Sequence, residues 1–180
     1  IIYDQLPIPH RDRYAGINSG NAFLSIVEEA SIVDYINSNS DLVNLEDNAL
    51  SNFAALICAF QFGVRPVQIS KLRLRDIKIL NYPNELHSIH LDFVMAKQLF
   101  SNKGAKFLRR KVKTEWSEVF LKLYDLAIIN NKKDSDRLFD FSSSKDAGLA
   151  ISKLIYKITG ENHSATTLRH TAAQRLVDAG

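Results

Sequence analysis

Thr166-Thr167-Leu168-Arg169-His170-Thr171 opens an amphipathic stretch that runs on to Gly180. Far upstream, Phe62-Gly63-Val64-Arg65-Pro66 sets a second arginine in a matching context, at the beginning of a helix that proline can open. A lysine-rich segment lies between the two. Two arginines at helix starts with lysines between them suit a site that grips one phosphodiester from several sides.

Working outward, the totals set the class. A chain of 180 residues with 46% apolar and 24% charged content can bury a real core as one domain. Its net charge of +3 is modest, but its distribution is uneven. Lys97, Lys103, Lys106, Arg109, Arg110, Lys111 and Lys113 fall in one run without an acid, whereas Glu28, Glu29, Asp34, Asp41, Glu46 and Asp47 gather early. The only cysteine, Cys58, sits in the apolar run Ala54–Phe60 and reads as a buried small side chain. With no disulfide possible inside the chain, a reducing, cytoplasmic compartment is expected. No apolar run approaches the roughly 18 residues of a membrane span, and the start carries no signal-peptide pattern. The opening Ile1 and the terminal glycine suggest an excised piece of something longer.

Residues 1–16, with Pro7, Pro9, Arg11 and Arg13, read as a linker or arm, and residues 17–180 as one partial domain. A first helix is expected after Asn18–Asn21, with Phe23, Ile26, Val27, Ala30, Val33 and Ile36 on its buried side. A second helix spans about 45–62, with Asn44 as the cap candidate, and stops at Gly63. A short helix follows Arg65-Pro66. Residues 76–80, 87–95 and 107–112 read as three short strands, with Tyr82-Pro83-Asn84 as a turn. Helices are expected over about 116–129, 145–158 and 166–179, with a polar loop at 130–137. The fold class is therefore mainly α with a small three-stranded sheet.

Leu168-Arg169-His170-Thr171-Ala172-Ala173, followed by Leu176–Gly180, resembles the second signature box of the tyrosine recombinases, the phage-integrase family. The stretch Gly63–Ile77 resembles that family's first box, in which an arginine opens a short helix leading into the first strand. The resemblance covers about 20–180 and implies that family's catalytic-domain fold, with an antiparallel sheet. It implies site-specific DNA recombination or integration, in which a tyrosine cleaves and rejoins strands through a 3′-phosphotyrosyl link. By position, Arg65 and Arg169 would be the two arginines of a phosphate cage. A guanidinium is planar, permanently charged and able to bond two phosphate oxygens, so lysine substitutes poorly. The family's general acid is a lysine on the turn between the second and third strands; Lys97 fits that place, with Lys103 as the rival. Such an acid contributes about 10²–10⁴ in rate. Lys103, Lys106, Arg109 and Arg110 would touch flanking phosphates. The resemblance implies double-stranded DNA as partner, tetramers on paired sites for full-length subunits, a mobile-element setting and nucleoid association. It implies no metal, nucleotide or other cofactor.

Where the family has a histidine, three residues before the second arginine, this chain has Thr166, which can donate one hydrogen bond but cannot accept a proton at neutral pH. His163 is the nearest substitute, and His170 is expected to pack or cap inside the fold. Tyr3, Tyr14, Tyr35, Tyr82, Tyr124 and Tyr156 all precede the second box, so the nucleophile is expected beyond Gly180. Trp116 reads as core. His87 and His90 point to opposite faces of a strand and read as no metal site. Taken singly, each arginine could instead cap or salt-bridge a helix end, and the basic run could be a solvated hairpin. Two other classes therefore stay open: a DNA-binding protein of the same fold that has lost its chemistry, and a helical interaction module.

Overall fold

Every residue from Phe53 to Phe60 is buried, which makes the helix carrying them the centre of the molecule. The computed structural model describes residues 23–39, 47–81, 88–95 and 106–179. The arm at 1–16, Asn44, the turn Tyr82–Asn84, His87, Lys97 and Lys103 lie outside the described residues. In chain order the elements are α1 (Ile26–Ser38), α2 (Asp47–Phe62), α3 (Pro66–Ser70), β1 (Ile77–Leu80), β2 (Ser88–Val94), β3 (Phe107–Lys111), α4 (Ser117–Ile129), α5 (Ser144–Thr159) and α6 (Ala165–Asp178). One-turn 3₁₀ segments, Leu74–Asp76 and Thr114–Trp116, lead into β1 and α4.

Central α2 packs against α4, α5 and α6, and α5 also packs on α1 and α3. Cys58 lies within α2 with no exposure, and burial pushes its thiol pKa far up, so it is an inert core group. Trp116 is buried as expected, and its indole N–H donates to Asn37 Oδ1 at 2.9 Å.

The sheet is antiparallel in the order β1-β2-β3. Ile77 stands opposite Leu91, Lys78 opposite His90, Asp92 opposite Arg109 and Phe93 opposite Leu108. Ile89, Leu91 and Phe93 are fully buried and carry the sheet's core face. Lys78, His90, Asp92, Arg109 and Lys111 alternate onto the other face.

The first helix differs from expectation. Ser25 and Glu28 form a reciprocal capping box: the Ser25 hydroxyl accepts from the Glu28 N–H, and the Ser25 N–H donates to the Glu28 carboxylate. That box fixes the helix start at Ile26 and turns Ile26 and Val27 outward, 84% and 74% exposed. Ala30 is exposed too, whereas Leu24, Ile32 and Ile36 make the buried side. A helix-start signal outweighed the hydrophobic pattern.

The polar loop at 130–137 is structural. Leu74 N–H donates to Asp136 O at 2.9 Å, Arg75 N–H to Asp134 O at 3.1 Å, and the Arg73 guanidinium to Ser135 O. This docking fixes the chain where it leaves α3 for the sheet.

Candidate functional site

Gly63 determines how closely the two arginine-bearing segments approach. It ends α2 with φ +65°, a conformation that glycine adopts without strain. A Cβ built on Gly63 would lie 2.8 Å from the Cβ of Ala172 and 3.5 Å from the Cα of Arg169. The small pair Gly63 and Ala172 thus lets the chain leading to Arg65 run against α6 one turn from Arg169.

Arg65 is the N-cap of α3, in extended backbone, and Pro66 follows in the first turn. Its guanidinium does not cap the helix. Instead Gln68 accepts from the Arg65 backbone N–H at 2.9 Å, and its own amide donates to Val94 O at 2.7 Å. One side-chain amide therefore ties the backbone of Arg65 to the end of β2.

Arg169 sits in the second turn of α6, held by buried neighbours. Leu168 is fully buried, and the Thr171 hydroxyl donates to Thr167 O at 2.8 Å while accepting from the Leu24 N–H at 2.9 Å. Beyond them, the Arg175 guanidinium donates to Phe60 O, stacks 4.5 Å above the Phe60 ring and lies 3.5 Å from Glu29.

The two arginines open on one groove of about 530 Å³, lined also by Pro66, Lys145, Gly148, Ser164 and Thr166. Among the described residues no carboxylate lines it. Among the described residues neither guanidinium makes an ion pair or a side-chain hydrogen bond. The capping and salt-bridge alternatives thus have no partner there. The pKa of Arg169 lies below the ordinary guanidinium value, chiefly through burial and then through the positive charge of Arg65. Like charges held together, with no counter-ion among the described residues, favour an anion between them.

The other expected residues distribute differently. Thr166 is exposed and lines the groove. His163 is buried beneath α1, its Nε2 at 2.6 Å from Glu28 Oε2, and it does not line the groove. His170 is exposed, not packed inside; its ring lies 6.1 Å from that of Phe23, because the position after Arg169 turns outward on α6. Lys106 and Arg110 are exposed. Arg109 is held by Asp92 through two bonds of 2.7 and 3.1 Å, which depress the Asp92 pKa. Strand alternation sends Arg109 and Arg110 to opposite faces. His90 bonds Ser88 at 2.9 Å, and burial, then Arg109 and Lys111, lowers its pKa. Sequence reasoning did not find Lys145, Gly148 or the Gln68 bridge.

The fold is similar to that of a solved site-specific recombinase. The chain matches the solved XerH site-specific recombinase bound to its difH substrate in a pre-cleavage complex, with a TM-score of 0.55 and 16% identity. The match covers 88% of this chain and 43% of that one, so this chain spans less than half that recombinase's length. No family model and no curated protein matches the sequence. The fold class expected from the sequence, mainly α with a small antiparallel three-stranded sheet in a tyrosine-recombinase catalytic-domain-like arrangement, is the observed one. No helix among the described residues is long and apolar enough to cross a membrane.

Proposed function

We propose that this chain is most of the catalytic domain of a tyrosine-type site-specific DNA recombinase or integrase. The observation that carries the reading is the shared groove into which Arg65 and Arg169 open, with no acid in its lining and no partner for either guanidinium among the described residues. Arg65 and Arg169 would hold the scissile phosphate of double-stranded DNA, meeting the charge that builds on its non-bridging oxygens as a tyrosine oxygen attacks. Lys97, or Lys103 in its place, would protonate the leaving 5′-oxygen. Thr166 would donate one hydrogen bond. Lys103, Lys106 and Arg110 would contact flanking phosphates, with Arg109 using the N–H groups that Asp92 leaves over. The tyrosine would come from sequence outside this chain, and full-length subunits would work as tetramers on paired sites, without metal or cofactor.

The test is incubation of the full-length protein with a suicide DNA substrate. A covalent protein–DNA adduct that disappears on Tyr→Phe substitution of the nucleophile supports the reading; no adduct, or one that survives the substitution, removes it. Thr166, a neutral hydroxyl in a cationic groove, favours one second reading: a DNA-binding protein of this fold without the chemistry. That reading expects strongly salt-dependent DNA binding and no adduct. Loss of DNA binding as well would favour the interaction module.

A further inference from the structure

Lys145 stands in the first turn of α5, beside Arg65, Thr166 and Arg169 in the groove wall. Gly148 brings it there: a Cβ on Gly148 would meet the Pro66 ring at 3.5 Å, so α5 crosses against the start of α3. Three cations thus approach one groove from three helices. The acid next in sequence, Asp146, lines a separate groove with Asn48, Ser51 and Asn52, on another face of α5. Among the described residues Lys145 has no ion pair and no side-chain hydrogen bond. The position is electrostatically uphill, because a helix N-terminus carries partial positive charge and disfavours a cation. Lys145 is exposed, and its charge, placed against the helix dipole and beside two guanidinium groups without a partner among the described residues, favours a shared anion.

We infer that Lys145 is a phosphate-binding residue of this groove, a third cation on the DNA backbone at the cleavage site that supplies the charged donor the neutral Thr166 does not. The inference rests on the recombinase reading of the groove. Arg65 and Arg169 would take the scissile phosphate, while the flexible ammonium group of Lys145 reaches the same phosphate or its neighbour as a point charge.

The test titrates inorganic phosphate into the protein while following the arginine side-chain N–H resonances by NMR, in wild type, Lys145→Met, Lys145→Arg and Lys153→Met. Lys153 sits on the same helix outside this groove. Phosphate should perturb Arg65 and Arg169 in the wild type. Lys145→Met should weaken that binding roughly two- to fivefold, the range of an exposed ion pair, with Lys145→Arg and Lys153→Met near wild type. On a mixed-sequence duplex, Lys145→Met should also reduce the log–log salt slope by roughly 0.9. Wild-type affinity and slope in Lys145→Met overturn the inference while leaving the groove intact as an anion site. If phosphate leaves Arg65 and Arg169 unmoved in the wild type, both the reading of the groove and the inference fall.

Discussion

Gly63 and Ala172 are in van der Waals contact range across the junction of α2 and α6, with no room for a side chain on the glycine. Gly63→Ala adds a methyl 2.8 Å from Ala172 Cβ and holds it at φ +65°. Overpacking of this kind costs about 1–3 kcal/mol. The expected result is a thermal midpoint several degrees lower, measured by calorimetry, together with weaker phosphate binding as Arg65 and Arg169 are pushed apart. A variant as stable as wild type would show that the junction yields.

Arg65→Lys and Arg169→Lys keep the charge and remove the planar fork. In the full-length protein each should reduce the single-turnover cleavage rate on a suicide substrate by roughly 10²–10³, the loss typical of a transition-state donor. Thermal stability should stay within about 0.5 kcal/mol of wild type, since neither guanidinium has a partner among the described residues. A large stability loss in either variant would point to a structural role instead.

The Ser25 and Glu28 capping box predicts a pH dependence. Burial alone would raise the Glu28 pKa, but hydrogen bonds from Ser25 and His163, with the His163 charge, bring it below its ordinary 4.5. A depressed carboxylate pKa contributes stability that is fully present above the unfolded value and is lost as pH falls through the folded one. Thermal midpoints measured from pH 6 down to pH 3 should therefore fall more steeply in wild type than in Glu28→Gln. Ser25→Ala should cost about 1 kcal/mol at neutral pH. Parallel curves for wild type and Glu28→Gln would remove this assignment.

Asp92 makes Arg109 and Arg110 unequal despite their adjacency. Lys106→Met and Arg110→Met should each lower the DNA salt slope by nearly one contact, whereas Arg109→Met should change it less. Asp92→Asn should strengthen duplex binding at low salt by releasing Arg109. Equal slopes for the Arg109 and Arg110 variants, from fluorescence anisotropy across a salt series, would contradict this.

The fold was largely legible because its strongest signals are local. Gly63 and Gly160 stop helices with positive φ, Pro66 starts one, and the apolar run of α2 marks the centre. The error in α1 arose where two local signals conflicted: Ile26 and Val27 fit an apolar stripe, but the Ser25 box fixes the start of the helix and turns them to solvent. In the groove, Arg65 and Arg169 stood out because each lies in a characteristic motif, Arg65 at the start of α3 and Arg169 in the second turn of α6. Lys145 did not, because its place depends on how α5 crosses α3, a relation that Gly148 and Pro66 set across the fold. The pairing of Arg109 with Asp92 was hidden for the same reason, since strand register is a property of two segments together.

The Gln68 amide gives the molecule a mechanical linkage. With one end on the Arg65 main chain and the other on the last residue of β2, it makes the tip of a strand and the root of an arginine parts of one lever. Under the proposed recombinase reading, a duplex pressing on that edge of the sheet would displace the Arg65 main chain, and contact at the substrate's flank would be coupled to placement of the scissile phosphate.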